Sequence, residues 1–501
     1  MKKTLPILSA VCAAAALMFS ACSGGSTYTG AASGSTGGKT EESSEEGTES
    51  TGTGGANTSA TTASKTIKLS DEPTGFAGVD ADSYFGKYSG WTTVTASNRT
   101  DFEKYAESST AYIILVDTMI DLSDGMMPET YDGTTSKLDS FIATNTSNSY
   151  TSYDAWRTAY AAQCKTTSDD DKSGTSNSGL YSTQNTLTTA YKKIVQIDLK
   201  SNKMIIGTKA GAGVKGGSLM INNADNIAIR NLTIQDAYDP FPHHEAGDGY
   251  NAQYDCITVQ GTCNYIWIDH CLIQDTLLDH VYVTTDSTSE KKSEKWQTYD
   301  GLCDMKGDSH NITVSNCIFK NHDKTMLIGS SDNTEPFSSG KGLRTITLAN
   351  NYFQNCVQRL PMVRNTKIHV VNNYYNFEKY NATKKTPTGT ETEQIKSSYA
   401  IGVRYGSEVY SEANYFDTGI QYSYSGESDA TNGMIYMIND SDNSSKKRYT
   451  EKLSDSHISA TVFADFDPAS ISGYTVDTKT ADEAKTYVKE NTGAGYTFVS
   501  E

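Results

Sequence analysis

Positive charge is in short supply in this chain. Its 501 residues carry 42 Lys and Arg against 60 Asp and Glu, a formal net charge of −18. A protein that wraps nucleic acid usually presents a basic face, so that class is disfavoured. Apolar residues are scarce too, at 36%, a profile that argues against a membrane transporter, a collagen or a coiled coil. The leading apolar stretch, Leu5 to Phe19, is too short for a comfortable membrane-spanning helix. No Cys pair has the CxxC spacing of a zinc site, and His243-His244-Glu245 lacks the helical HExxH spacing and reads as a loop bordering a cleft. Length alone allows two or three domains, although a solenoid can be longer.

What is present begins with an address. Lys2 and Lys3 precede the apolar stretch, and small residues Ser20 and Ala21 stand before Cys22, the layout of an export signal. Phe19-Ser20-Ala21-Cys22 resembles a bacterial lipoprotein box, with Phe19 where an aliphatic residue is preferred. That resemblance implies a signal peptide over 1–22, lipid attachment at Cys22, and an exported protein anchored at the cell surface or outer membrane; an ordinary secretory signal with a chance Cys would instead leave it secreted. Residues 23–70 read as a flexible linker of Gly, Ser, Thr and Glu, unable to bury enough apolar surface to fold. Ser23 to Ser64 contributes five Glu and one Lys, a net of −4. One folded domain is expected over 71–501. Seven Cys remain in it, an odd number, and Cys271 and Cys317 occupy equivalent repeat positions that suit buried thiols.

That repeat sets the fold. Ile227-Ala-Ile-Arg-Asn-Leu-Thr-Ile234 returns as Ile266 to Ile273, Ile312 to Phe319, Ile346 to Phe353 and Ile368 to Tyr375, with a weaker copy from Val409 to Phe416. The starts lie 39, 46, 34, 22 and 41 residues apart, so the unit is regular and its connections vary. Positions one and three are apolar, then six and eight take over the inward role. A strand alternates with period two, so this phase change demands a tight bend at positions four and five. Asn231, Asn316, Asn350 and Asn372 hold position five, and Asn tolerates the left-handed conformation such a bend needs. Short strand, bend, short strand and variable loop describe one coil of a parallel β-solenoid, which needs only end caps. Thr100-Asp-Phe-Glu103 predicts a capping box before an apolar strand Tyr112 to Leu122, and Thr480-Ala-Asp-Glu483 another opening a helix over Ala481 to Glu490. A polar segment from about Ser123 to Thr189 reads as a long interruption of the early coils, functional or mobile.

Four blocks then bear a family resemblance. Trp267-Ile-Asp-His270, Asp300-Gly-Leu-Cys-Asp304, Asn321-His-Asp-Lys-Thr-Met-Leu-Ile-Gly329 and Gln358-Arg-Leu-Pro-Met-Val-Arg364, in this order, resemble the pectate lyases. The resemblance implies an all-β fold, a right-handed parallel β-helix with short capping helices at both ends, and cleavage of polygalacturonate. It implies Asp255, Asp300 and Asp304 as calcium ligands, a hard cation taking roughly six to eight oxygens. Gln253 stands where family members often carry a further acidic residue, which implies a weaker or more substrate-dependent site; Glu245 and Asp248 are nearby candidates to compensate. Lys324, Arg359 and Arg364 match the catalytic basic set, Arg359 as the base and the others as carboxylate-binding groups. Free arginine is charged at ordinary pH, so an arginine base implies an alkaline optimum. His270 and the Asn series read as bend residues, and Trp267 as exposed packing.

Three other readings compete. A pectin lyase acts on methyl-esterified chains and replaces the calcium carboxylates, so the three Asp count against it. A β-helix glycoside hydrolase would need a carboxylate pair with water between them. A surface solenoid that only binds polysaccharide would not need Lys324 and Arg359 beside an acidic site. The expected state is a monomer whose partners are polygalacturonate or pectin, with no nucleic acid.

Overall fold

The computed structural model describes residues 65–500 apart from 81–87, 131–132, 165–178, 246–248, 278–279, 285–292, 332–336, 338, 387–388, 427–432, 447 and 450–465. The export signal, Cys22, most of the linker and Asp248 lie outside the described residues.

Each repeat unit contributes one short strand to each of two parallel sheets, and the stretch after it contributes to a third. The sheets hold ten, nine and nine strands. Position one of successive units forms an in-register row, Ile227, Ile266, Ile312, Ile346, Ile368, Val409 and Ile435, all fully buried. Position eight stacks aromatic rings: Phe319, Phe353, Tyr375 and Phe416 have centroids 5.1, 4.9 and 4.6 Å apart and planes within 13°. Such offset aromatic pairs add about 0.5–1.5 kcal/mol each beyond their buried area. The bends are as the phase change requires, with φ of 56° at Asn231, 50° at His270 and Asn316, 56° at Asn350 and 54° at Asn372.

Position six carries a feature the apolar pattern hides. Asn351, Asn373 and Asn414 are fully buried, and each accepts from the preceding coil's backbone: Cys317 N to Asn351 Oδ1 at 3.0 Å, Asn351 N to Asn373 Oδ1 at 2.8 Å, and Asn373 N to Asn414 Oδ1 at 2.9 Å. A buried amide is stable only when its hydrogen bonds are made, so this ladder also fixes the stacking register. Cys271 and Cys317 precede it in the same row, and all seven described cysteines are buried free thiols.

The caps are helices α1 (Arg99–Ala106) at one end and α5 (Ala481–Asn491) on the flank. Around α5, Thr480 and Glu483 form the expected capping box. For α1 the cap is Asn98 rather than Thr100: its Oδ1 accepts from Asp101 N at 3.0 Å, which starts the helix two residues earlier. The strand expected over Tyr112 to Leu122 is two, Tyr112–Val116 and Met119–Asp121, one in each of two sheets. Thr66–Lys68, inside the expected linker, is a strand paired in parallel with Thr497–Val499.

The largest departure is the interruption at 123–189. It holds three helices, α2 (Ser136–Asn145), α3 (Tyr153–Cys164) and α4 (Gly179–Val195). Tyr153, Trp156 and Tyr160 follow helical spacing and are buried. Trp156 stands 5.0 Å from Phe241 and 6.1 Å from Trp296, and Tyr160 5.7 Å from Tyr250. These partners sit on a separate six-stranded sheet or beside it. That outer sheet gathers three long connections of the solenoid: His243–Glu245 with Gly249–Asn251, His280–Thr284 with Ser293–Trp296, and the hairpin Tyr380–Thr386 with Gly389–Ile395. His243-His244-Glu245, expected as a loop, is therefore an edge strand. Trp267, expected as exposed, is buried; its ring lies 4.2 Å from the Arg230 guanidinium and its Nε1 donates to Ser315 Oγ at 3.1 Å.

Candidate active site

Four successive coils build one flank of the third sheet. Their strands are Ile257–Gln260, Cys303–Met305, Leu327–Ile328 and Met362–Val363, each paired with the next. At about 4.8 Å per coil they span roughly 14 Å. Asp255 leads into the first, Asp300 and Asp304 belong to the second, Lys324 closes the strand leading to the third, and Arg359 and Arg364 bracket the fourth. The sequence-predicted acidic and basic residues thus lie on neighbouring coils of one surface.

The acidic end is buried. Asp255 and Asp304 are 2% and 3% exposed. Thr258 Oγ1 and Gly301 N donate to Asp255 at 2.7 and 3.0 Å, and Leu327 N to Asp304 Oδ1 at 2.9 Å. Burial first, and the neighbouring Asp304 second, push the Asp255 carboxyl up to about 7, and burial also raises Asp304. Lys306, which the sequence reading did not single out, lies 3.1 Å from Asp304 and 3.6 Å from Asp255. Burial opposes its charge, but Asp255 and then Asp304 hold its ammonium above the usual range. Its position two residues past Asp304, on the same face of the strand, was the available signal.

This donor set suits a hard cation. It is all oxygen, and one Lys leaves a net negative pair in a buried setting. Between the carboxylates stands Gly301, where a Cβ would lie 2.6 Å from Asp304 Oδ1 and 2.7 Å from Asp255 Oδ1. Among the described residues no group of three or more Asp, Glu, His or Cys side chains is placed so that it could hold a metal ion, so Asp255, Asp300 and Asp304 do not by themselves form a complete site. Gln253 is exposed, its N–H donating to buried Asp239 at 3.0 Å. Gly301→Ala is expected to force the two carboxylates apart and weaken calcium binding by roughly 10–100-fold, the usual effect of disturbing a metal ligand's support. Calorimetric titration with calcium checks this; unchanged affinity would place the cation elsewhere.

A second buried pair holds Asp300. His322 Nδ1 lies 2.5 Å from Asp275 Oδ2, and its Nε2 donates to the Asp300 carbonyl at 2.9 Å. Asp275 keeps the His322 imidazole above its ordinary range against the cost of burial. The loop carrying Asp300 is thereby tied to the strand carrying Lys324.

The basic end is partly open. Lys324 Nζ donates to Asn251 Oδ1 at 3.0 Å, on the outer sheet. Arg359 has φ of 59°, a left-handed conformation that costs a bulky residue about 1 kcal/mol or more. Its carbonyl accepts from Met326 N at 2.9 Å, and its Nε is buried without a hydrogen-bond partner. Strain of this sort at a partly exposed arginine points to function rather than packing. Arg364 is 6% exposed, anchored through its backbone N–H to Ile328 O at 2.7 Å. His270 is a bend residue as expected, its Nδ1 2.7 Å from Asp269 Oδ2.

The fold and this flank together define a parallel β-helix with an acidic cradle set beside basic residues. The family model described as pectate lyase matches residues 173–497, and the chain belongs to that family. It is 38% identical to the pectate lyase of Bacillus subtilis (strain 168) over 231 residues, 45% of this chain and 50% of that protein. It is 36% identical to pectate lyase E of Dickeya dadantii (strain 3937) over 221 residues, 44% of this chain and 50% of that protein. The chain therefore spans about half the length of these curated relatives. A solved structure described as pectate lyase bound to hexasaccharide superposes with a TM-score of 0.58 at 26% identity, covering 81% of this chain and 92% of that one.

Proposed function

We propose that the protein is a calcium-dependent pectate lyase that cleaves polygalacturonate by β-elimination. The observation that carries this reading is the Asp255–Asp304 cradle around Gly301, one and two coils from Lys324 and Arg359. Bound there by Asp255, Asp300 and Asp304, calcium would supply Lewis-acid stabilisation of charge on a uronate carboxylate. The chain's own groups account for the rest. Lys324 and Arg364 bind and orient the carboxylate of the sugar to be cleaved, which makes the adjacent C5 proton more acidic. Arg359 takes that proton. The C5–H electron pair becomes the C4–C5 double bond, and the C4–O bond breaks with its pair passing to the leaving oxygen, which is protonated. No water is consumed, and the product is a 4,5-unsaturated sugar end.

The same reading keeps Cys22 as a lipid attachment point that displays the enzyme on a tether outside the cell. Supplied with polygalacturonate, the full chain is expected to generate ultraviolet-absorbing unsaturated ends only when calcium is present, and to stop on chelation. Absorbance only from methylated polymer would instead indicate a pectin lyase, reducing ends without absorbance a hydrolase, and no product a binding protein.

A further inference from the structure

A cation of the chain's own sits against the two buried carboxylates of the acidic cradle. Lys306 Nζ lies 3.1 Å from Asp304 Oδ2 and 3.6 Å from Asp255 Oδ2. The other oxygen of each carboxylate is held by the backbone. Asp255 Oδ1 accepts from Gly301 N at 3.0 Å, and Asp304 Oδ1 from Leu327 N at 2.9 Å. Those donors leave the Oδ2 pair as the oxygens best able to bridge a metal ion, and the ammonium lies on both.

This ammonium has a way out. The Lys306 backbone is fixed, its N–H donating to Val259 O at 2.6 Å and its carbonyl accepting from Ser309 Oγ at 2.8 Å. Its side chain is 21% exposed, against 3% and 4% for the side chains of Asp255 and Asp304. A flexible stem carries the compact charge, so a rotation moves it toward solvent with no shift of the coil. Without any cation between them, two carboxylates so poorly hydrated would repel each other.

We infer that Lys306 is a resident counter-cation of this pair, which calcium must displace, and that it sets the calcium concentration at which the cradle fills. The inference rests on the calcium site proposed above and deepens it. At low calcium the ammonium keeps Asp255 and Asp304 paired. At high calcium it yields the Oδ2 atoms to a divalent ion that takes oxygen ligands at about 2.3–2.6 Å. An ammonium that holds the position about nine-tenths of the time lowers the apparent calcium affinity roughly tenfold.

The test needs no substrate. Lys306→Met keeps an unbranched stem and removes the charge. Calorimetric titration of the full chain should show calcium binding about tenfold tighter in this variant than in the wild type. In chelator its unfolding midpoint should fall by roughly 3 °C or more, and saturating calcium should restore it to the wild-type value. Lys306→Arg, which keeps a cation, should retain the wild-type midpoint in chelator and bind calcium no tighter. A Met variant that folds only in calcium would support the inference in the same way. Two results would overturn it and leave the lyase reading standing. One is unchanged or weaker calcium binding by Lys306→Met, as expected of a lysine that only supports the ligands. The other is a midpoint lowered equally with and without calcium, as expected of a lysine that only packs. A wild type that binds no calcium would overturn both this inference and the calcium-dependent reading.

Discussion

Arg359→Lys should lose nearly all turnover while still binding polymer. Lysine keeps the positive charge that attracts a uronate, but it presents a compact ammonium in place of a planar fork and carries its nitrogen at a different reach. If Arg359 is the group that accepts the C5 proton, kcat should drop by roughly 10²–10⁴-fold, the range typical of a lost general base. The dissociation constant for polygalacturonate, measured on the inactive variant by calorimetry, should stay within a few-fold of the wild type. Thermal unfolding should be unchanged too, because the strained backbone at this position is held by Met326 N and not by the side chain. Wild-type-like turnover would remove Arg359 from the base role.

Trp156→Ala should have the largest effect on stability. The side chain is fully buried, stacked on Tyr160 at 5.3 Å and edge-on to Phe241 and Trp296. Removing a ring of this size from a packed cluster costs about 3–5 kcal/mol, against a total of about 5–15 kcal/mol for an ordinary domain. The loss should be felt first where α2, α3 and α4 meet the outer sheet. Tyr250 stacks on Trp296 at 4.6 Å, and Asn251, next along, receives the Lys324 ammonium. Loosening this cluster should therefore lower kcat/KM as well as the denaturation midpoint, and Trp156→Phe should restore much of both. A Trp156→Ala protein as stable as the wild type would mean that the helices are ornaments on the solenoid.

These two residues mark the border between what was legible in the sequence and what was not. The coil was legible because its signal is local and repeated: apolar positions one and three, a bend at Asn, then inward positions six and eight. Five of the six proposed site residues fall inside contiguous blocks of sequence and Asp255 stands outside them; the structure places all six on neighbouring coils. Trp156 was missed because α3, itself rich in Ala and aromatic residues, lies within a long stretch of Ser, Thr, Asp and Gly, so the helical spacing of Tyr153, Trp156 and Tyr160 was read as part of a polar segment. The outer sheet was missed for another reason. Its six strands come from three connections far apart in sequence, and no short pattern records which will pair. The tie between Asp275 and His322, 47 residues apart, is of the same sort. The polar row at Asn351, Asn373 and Asn414 contradicts an apolar expectation until the backbone donors above each amide are counted.

The strand Thr66–Lys68 has a mechanical consequence. It lies parallel to Thr497–Val499, and Arg230 grips it from behind, donating to Lys68 O at 2.8 Å and pairing with Asp71 at 2.8 Å. Further on, the N–H groups of Phe76 and Ala77 are held by Thr347 and Thr313, on other coils. A pull on the segment before residue 65 would thus meet a strap fastened along the side of the cylinder, loaded in shear across several bonds at once. It would not peel coils from an end one at a time. On the proposed reading of a tethered lyase, such a pull would leave the coils that carry Asp255, Lys324 and Arg359 in register.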